Sequence, residues 1–312
     1  MRVSSSRFDF VQTSFLLMLP PVFWAGNAIV GRLVVGVIPP LAFNFGRWAI
    51  AFLILLPFCY RELKDISFCW RSFLRFFVLG FLGIASYNAL QYMALVSSSP
   101  INVTLVASSM PVFMLLVGRF VYGVHFRLVA LMGVLLSVLG VLVVISRGDL
   151  FALLALELVV GDLLMLVAAL SWTFYSWMLA RPDPELSMVE KIRSHWVAFL
   201  AIQIGFGAIS SFIFAVIDWW LSLDAWTYKL EWGPTLIAAL VYVAIFPGIV
   251  AFRAWGLAVQ RVGPSFAGVV VNLTPLLAAL FSAVFLNEKP ELYHGLAFLL
   301  IVIGIAVFQR AR

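Results

Sequence analysis

Charge is scarce in this chain. Asp, Glu, Lys and Arg together make up 11% of its 312 residues, where a soluble domain carries about 25%. So few charges cannot clothe a water-exposed surface of this size, and a soluble globular fold is excluded. Cysteine is almost absent. Cys59 and Cys69 are the two present, and both fall near one predicted cytoplasmic loop, where a disulfide is not expected. Histidine is equally rare: His125, His195 and His294 stand near the ends of apolar segments. There is no His-Glu-x-x-His and no Gly-x-Ser-x-Gly, so neither a metal centre nor a serine nucleophile is in view. The chain is not expected to be an enzyme, and no cofactor or metal is expected.

Acidic residues are missing from the middle of every apolar run. Asp162, Asp218 and Glu288 lie near the ends of such runs. A proton-coupled pump needs a titratable group inside the membrane. Facilitated diffusion or exchange is therefore the expected mode, with His195 the one weak candidate for a proton carrier.

What the chain has is hydrophobic sequence, 64% of all residues. About 20 apolar residues span a bilayer, and ten such runs are present: 13–34, 40–60, 73–96, 99–121, 128–146, 161–180, 194–217, 235–258, 265–286 and 292–309. The segment Met1 to Asp9 carries two arginines, and the run after it is long enough to span, so it is not read as a cleaved signal. The longest connection, around 218–234, holds Trp219, Trp220, Trp226 and Trp232 and is expected to lie along an interface.

Of the 20 Lys and Arg residues, Arg47 and Arg253 fall inside runs, and Arg32, Arg147, Lys229 and Lys289 fall on one side of the membrane. The other 14 crowd the opposite side, which marks it as cytoplasmic and puts both termini there. The net charge of +6 thus has a membrane explanation, and no basic helix suggests nucleic-acid binding.

The chain repeats itself. A shift of 148 residues lays Trp24 on Trp172 and Trp48 on Trp196; a shift of 164 lays Pro100 on Pro264, Pro111 on Pro275 and Gly140 on Gly304. Each unit holds five runs, an odd number, so the second copy enters the membrane inverted. The expected fold is an all-α membrane protein of ten transmembrane helices, built as two inverted five-helix repeats, 1–148 and 149–312. Inverted repeats are characteristic of transporters, with a substrate site near the midplane between the halves.

The motifs resemble the drug/metabolite transporter superfamily, in its ten-helix EamA-like branch. The similarity rests on Val22-Phe23-Trp24-Ala25-Gly26-Asn27, on Phe45-Gly46-Arg47-Trp48, on Gly161-Asp162-Leu163-Leu164 with Ala168-Ala169-Leu170-Ser171-Trp172, and on Phe285-Leu286-Asn287-Glu288 followed by Gly295 and Gly304. Asn287 departs from the glycine that the family often has before the glutamate. The resemblance implies movement of small metabolites, more often export than import. Amino acids, aromatic ones among them, nucleobases, cofactors and drugs are all possible cargoes.

Candidate substrate-binding residues follow from polarity inside the runs. Tyr87, Asn88, Gln91 and Tyr92 share helix faces at i,i+3 and i,i+4 spacing, and either line a cavity or bond between helices. Trp24 and Asn27, with the counterparts Trp172 and Tyr175, either line the central axis or pack between helices. Arg253, near Trp255, either meets a substrate carboxylate or snorkels to the interface. Arg47 either serves a substrate or anchors its helix through backbone carbonyls. Asn272 joins the list beside Pro275. Pro111 and Pro275 are either paired hinges or static kinks. The expected partners are a small-molecule substrate and the lipid of a bacterial inner membrane, with a monomer as the working expectation.

Overall fold

The computed structural model describes residues 7–34, 36–64, 70–98, 100–155, 157, 159–181, 187–221, 232–285 and 291–311. Trp226, Cys69 and the Asn287-Glu288 motif lie outside the described residues. Ten helices are long and apolar enough to cross a membrane: α1 (Asp9–Gly31), α2 (Pro40–Lys64), α3 (Trp70–Ala94), α4 (Val103–Phe120), α5 (Leu128–Ile145), α6 (Val160–Ala180), α7 (Trp196–Trp220), α8 (Pro234–Val262), α9 (Pro264–Phe281) and α10 (Leu292–Arg310). Each coincides with one of the ten apolar runs. Successive spans reverse direction, so both chain ends lie on one face, here the terminal face; the other is the opposite face. Side chains such as Leu53, Phe58, Leu163 and Leu299 are exposed on the outside of the bundle, which is the surface that lipid covers.

Four spans are interrupted, in matching pairs. A wide π-helical turn replaces the α-helix at Phe81–Ser86 in α3 and at Ala244–Val250 in α8. Pro247 lies in the second of these and lacks the N–H that a regular turn would use. Around α4 the helix restarts at Met110 after Pro100–Ser108, and around α9 it restarts at Thr274 after Pro264–Val271. Pro111 and Pro275 sit in the first turn of the restarted segments, where a missing N–H costs little. Serine hydroxyls bond the carbonyls at the α4 break: Ser108 Oγ donates to Leu105 O at 2.7 Å, and Val106 O accepts both Ser109 N at 3.1 Å and Ser109 Oγ at 2.6 Å.

The packing repeats this pairing. α5 packs extensively on α10, and α2 on α7. α1 packs on α8 and α9, as α6 packs on α3 and α4. Exchanging the halves exchanges these sets, so the bundle has the internal two-fold of two inverted five-helix repeats. Small residues bring α5 and α10 together. A Cβ on Gly133 would stand 2.7 Å from the carbonyl oxygen of Gly304, and one on Gly304 2.6 Å from that of Gly133. Backbones this close gain van der Waals contact, which replaces the hydrophobic driving force that lipid removes.

Candidate functional site

Aromatic rings fill the centre of the bundle. Trp172 of α6 lies 5.3 Å from Trp24 of α1, 5.4 Å from Phe252 and 5.5 Å from Trp255 of α8, 5.1 Å from Tyr87 of α3 and 5.2 Å from Tyr175. Trp48 of α2 meets Phe252 edge-on at 4.9 Å. These separations are those of attractive tilted and edge-to-face ring pairs. The indole N–H groups are bonded: Trp24 Nε1 donates to Pro247 O at 3.3 Å, Trp48 Nε1 to Asn44 Oδ1 and Trp255 Nε1 to Ser176 Oγ, the last two at 3.1 Å. Trp24 and Trp172, the pair related by the repeat, therefore pack on one another as the central element of this cluster.

Toward the opposite face lies a polar layer between α2 and α3. Arg47 is only 3% exposed. Its Nη2 donates to Asn88 Oδ1 at 3.0 Å, and the guanidinium also faces the hydroxyls of Tyr92 and Tyr87. Asn88 Nδ2 donates to Ile84 O at 3.0 Å, a carbonyl of the α3 π-turn. That bond fixes the amide and turns its oxygen to Arg47. Gln91 faces the Tyr87 hydroxyl. The guanidinium stands 4.5 Å from the Trp48 ring centroid, within cation–π range. The polar side chains of α3 are thus joined to α2, and the partner of Arg47 is a side-chain amide rather than backbone carbonyls. Asn27 on α1 keeps a buried Oδ1 without a hydrogen bond among the described residues.

Toward the terminal face a cavity of about 170 Å³ opens between α6, α7 and α8. Its wall includes Tyr175, Trp196, Phe199, Gln203, Phe252 and Arg253. Tyr175 and Phe252 also belong to the aromatic cluster, so the cavity ends on the rings at the centre. Arg253 is partly buried and lies 5.1 Å from the Trp196 ring centroid. Gln203 is fully buried; its Nε2 donates to Phe199 O at 2.9 Å, while its Oε1 has no partner. Among the described residues the lining contains two arginines, Arg193 and Arg253, and no carboxylate. Arg193 Nη2 is held by Leu179 O at 2.9 Å.

Of the candidate residues, Trp24, Tyr87, Trp172, Tyr175 and Trp255 meet in the ring cluster, with Asn88, Gln91 and Tyr92 in the adjoining polar layer. Tyr175 and Arg253 line the cavity. Asn272 lies elsewhere: its Nδ2 reaches Ser108 O at 3.4 Å and Ser137 Oγ at 3.1 Å, bridging the breaks of α4 and α9 to α5. Gln203, Trp196 and Phe252 were not among the candidates. The sequence signal for Trp196 and Gln203 is their spacing with Phe199 along one face of α7, with an amide in a mostly apolar stretch.

The chain is similar in sequence to known transporters and in fold to a solved structure. The model of the EamA-like transporter family matches residues 12–146 and again 159–309. An uncharacterized transporter of Archaeoglobus fulgidus is 26% identical over 298 residues, 94% of this chain and 96% of that one. The uncharacterized inner membrane transporter YedA of Escherichia coli is 24% identical over 289 residues, covering 92% and 87%. A crystal structure with 20% identity superposes with a TM-score of 0.74 over 96% of this chain and 99% of its own.

Proposed function

The chain belongs to the EamA-like transporter family, and from that premise we propose that it exports amino acids, aromatic ones foremost, across a bacterial inner membrane by alternating access. The observation that carries the proposal is the cavity beside Tyr175, Trp196, Phe252 and Arg253. Its rings offer faces for an aromatic side chain. Arg253 offers a cation to a carboxylate, and the free Oε1 of Gln203 offers an acceptor to an ammonium. At about 170 Å³ the cavity suits a small metabolite; drug-sized ligands occupy roughly 300–1,000 Å³.

The crowding of Lys and Arg on the terminal face makes that face cytoplasmic. The cavity then opens to the compartment where an exported metabolite is made. Movement is facilitated diffusion or exchange, by a monomer embedded in lipid.

Reconstitution tests this reading. Purified protein in liposomes is expected to take up labelled phenylalanine, tyrosine and tryptophan saturably. Arg253→Gln should raise the half-saturation concentration about tenfold, the loss of roughly 1.4 kcal/mol of a charge-assisted contact. A panel of aromatic amino acids giving only the leak of empty liposomes overturns it.

A further inference from the structure

Among the described residues two tryptophans have an arginine at cation–π distance, and the repeat relates them. Trp196 with Arg253 borders the cavity near the terminal face. Trp48 with Arg47 lies on the other side of the ring cluster, closed off from solvent. The 148-residue shift places Trp48 on Trp196, and the inversion of the halves places them on opposite sides of the midplane. The cations are not equivalent in sequence: Arg47 corresponds to His195, and Arg253 comes from α8. One constellation is therefore built twice from different positions.

Resting on the alternating-access reading above, we infer that Arg47, held against Trp48, is a second anion-binding station, which receives the substrate's carboxylate when the transporter opens to the opposite face. Three observations support it. Among the described residues Arg47 has no carboxylate partner; its recorded partners are neutral amide and phenol groups. Its Nε is buried without a hydrogen bond. A buried cation so under-satisfied in a membrane is costly unless a ligand uses it. In an inverted-repeat carrier the outward-open state gives the first half the conformation that the second half has here, and the reverse. The exchange closes the cavity at Trp196 and Arg253 and opens its counterpart at Trp48 and Arg47. The Tyr87 and Tyr92 hydroxyls, which now face the guanidinium, yield to the arriving carboxylate. The substrate's anionic end thus passes from one Arg–Trp pair to the other across the central rings.

Thiol accessibility tests this. In full-length protein with Cys59 and Cys69 replaced by serine, Gln91→Cys on α3 reports on the closed layer. Asn44→Cys on α2 is a second reporter should the first not fold. A membrane-impermeant methanethiosulfonate applied from the opposite face should label the reporter. Phenylalanine should slow labelling at least fivefold, and phenylalaninamide, which lacks the carboxylate, should not. Arg47→Gln should abolish that protection while leaving phenylalanine protection of a Leu257→Cys reporter in the terminal-face cavity, a readout that general misfolding would also destroy. Arg47→Lys should restore part of it. No labelling from the opposite face in protein that transports overturns the inference, as does equal protection by acid and amide or protection that survives Arg47→Gln. Labelling from the opposite face does not depend on the cargo, so a wild type that is labelled but carries no aromatic amino-acid flux sinks the substrate reading alone, and the acid–amide comparison is then made with whichever amino acid the liposomes take up and with its amide.

Discussion

At the scale of the residue, Gln203 shows how one hydrogen bond assigns a role. Phe199 O can only accept, so the Gln203 amide must present its nitrogen there, and the carbonyl end is left unpaired. A buried acceptor without a donor costs about 1–3 kcal/mol, which a bound ammonium would recover. Gln203→Leu keeps the shape and removes the acceptor. It should therefore lower the preference for phenylalanine over 3-phenylpropionate by roughly tenfold, one to two kcal/mol for a hydrogen bond to a charged group. The check is competition between the two for labelled phenylalanine uptake. An unchanged ratio would separate Gln203 from substrate recognition. Flux of 3-phenylpropionate itself should be nearly unaltered, because it brings no ammonium.

At the scale of the helix, the close approach of α5 and α10 and the breaks of α4 and α9 make different predictions. A Cβ at Gly304 would meet Gly133 O at 2.6 Å and Ser137 N at 2.8 Å, both backbone atoms that cannot swing aside. Gly304→Ala is expected to cost about 1–3 kcal/mol by overpacking and to lower the melting temperature in detergent. Gly295→Ala on the same helix meets nothing within 4 Å and should be neutral or stabilise by up to about 1 kcal/mol. Equal losses would remove close packing as the explanation. Pro111→Ala and Pro275→Ala allow a regular helix where the chain now restarts. If the breaks are hinges, each variant should express normally, keep its substrate affinity and turn over several-fold more slowly, which single-turnover exchange would reveal. Unchanged turnover would make them static kinks.

These elements differ in how visible they are in sequence. The ten spans are legible because a bilayer demands some twenty apolar residues wherever the chain crosses it. The breaks at Pro111 and Pro275 are legible because proline acts on its own backbone. The π-turns are not: Phe81–Ser86 contains no proline, and its wider winding is a product of how α3 packs on its neighbours. The pairing of Arg47 with Asn88 and the cavity between α6, α7 and α8 depend on which helices adjoin, which no local pattern encodes. Gln203 is illegible for the same reason, since its meaning comes from the Arg253 across the cavity.

At the scale of the whole molecule, the distribution of charge bears on energetics of transport. Among the described residues the spans hold no carboxylate at mid-membrane; Asp162 stands at the start of α6, accepting from Val159 N at 2.9 Å and from the Ser98 hydroxyl. Arg47 and Arg253 are fixed cations that stay with their helices. On the amino-acid reading proposed above the cargo is a zwitterion and adds no net charge, and among the described residues no carboxylate inside a span is placed to couple its movement to a proton. Neither a pH gradient nor a membrane potential should therefore drive accumulation. Moving one elementary charge across 100 mV is worth about 2.3 kcal/mol, roughly a fifty-fold accumulation ratio. In liposomes with a potassium diffusion potential of about 100 mV, the internal-to-external ratio of labelled phenylalanine should settle at one, and a protonophore should not change it. A ratio climbing toward fifty would mean that a charge travels with the substrate, and collapse of that ratio by the protonophore would identify the charge as a proton. His195, exposed beside Trp196 at the start of α7, is the residue whose replacement by glutamine would then have to abolish the gradient.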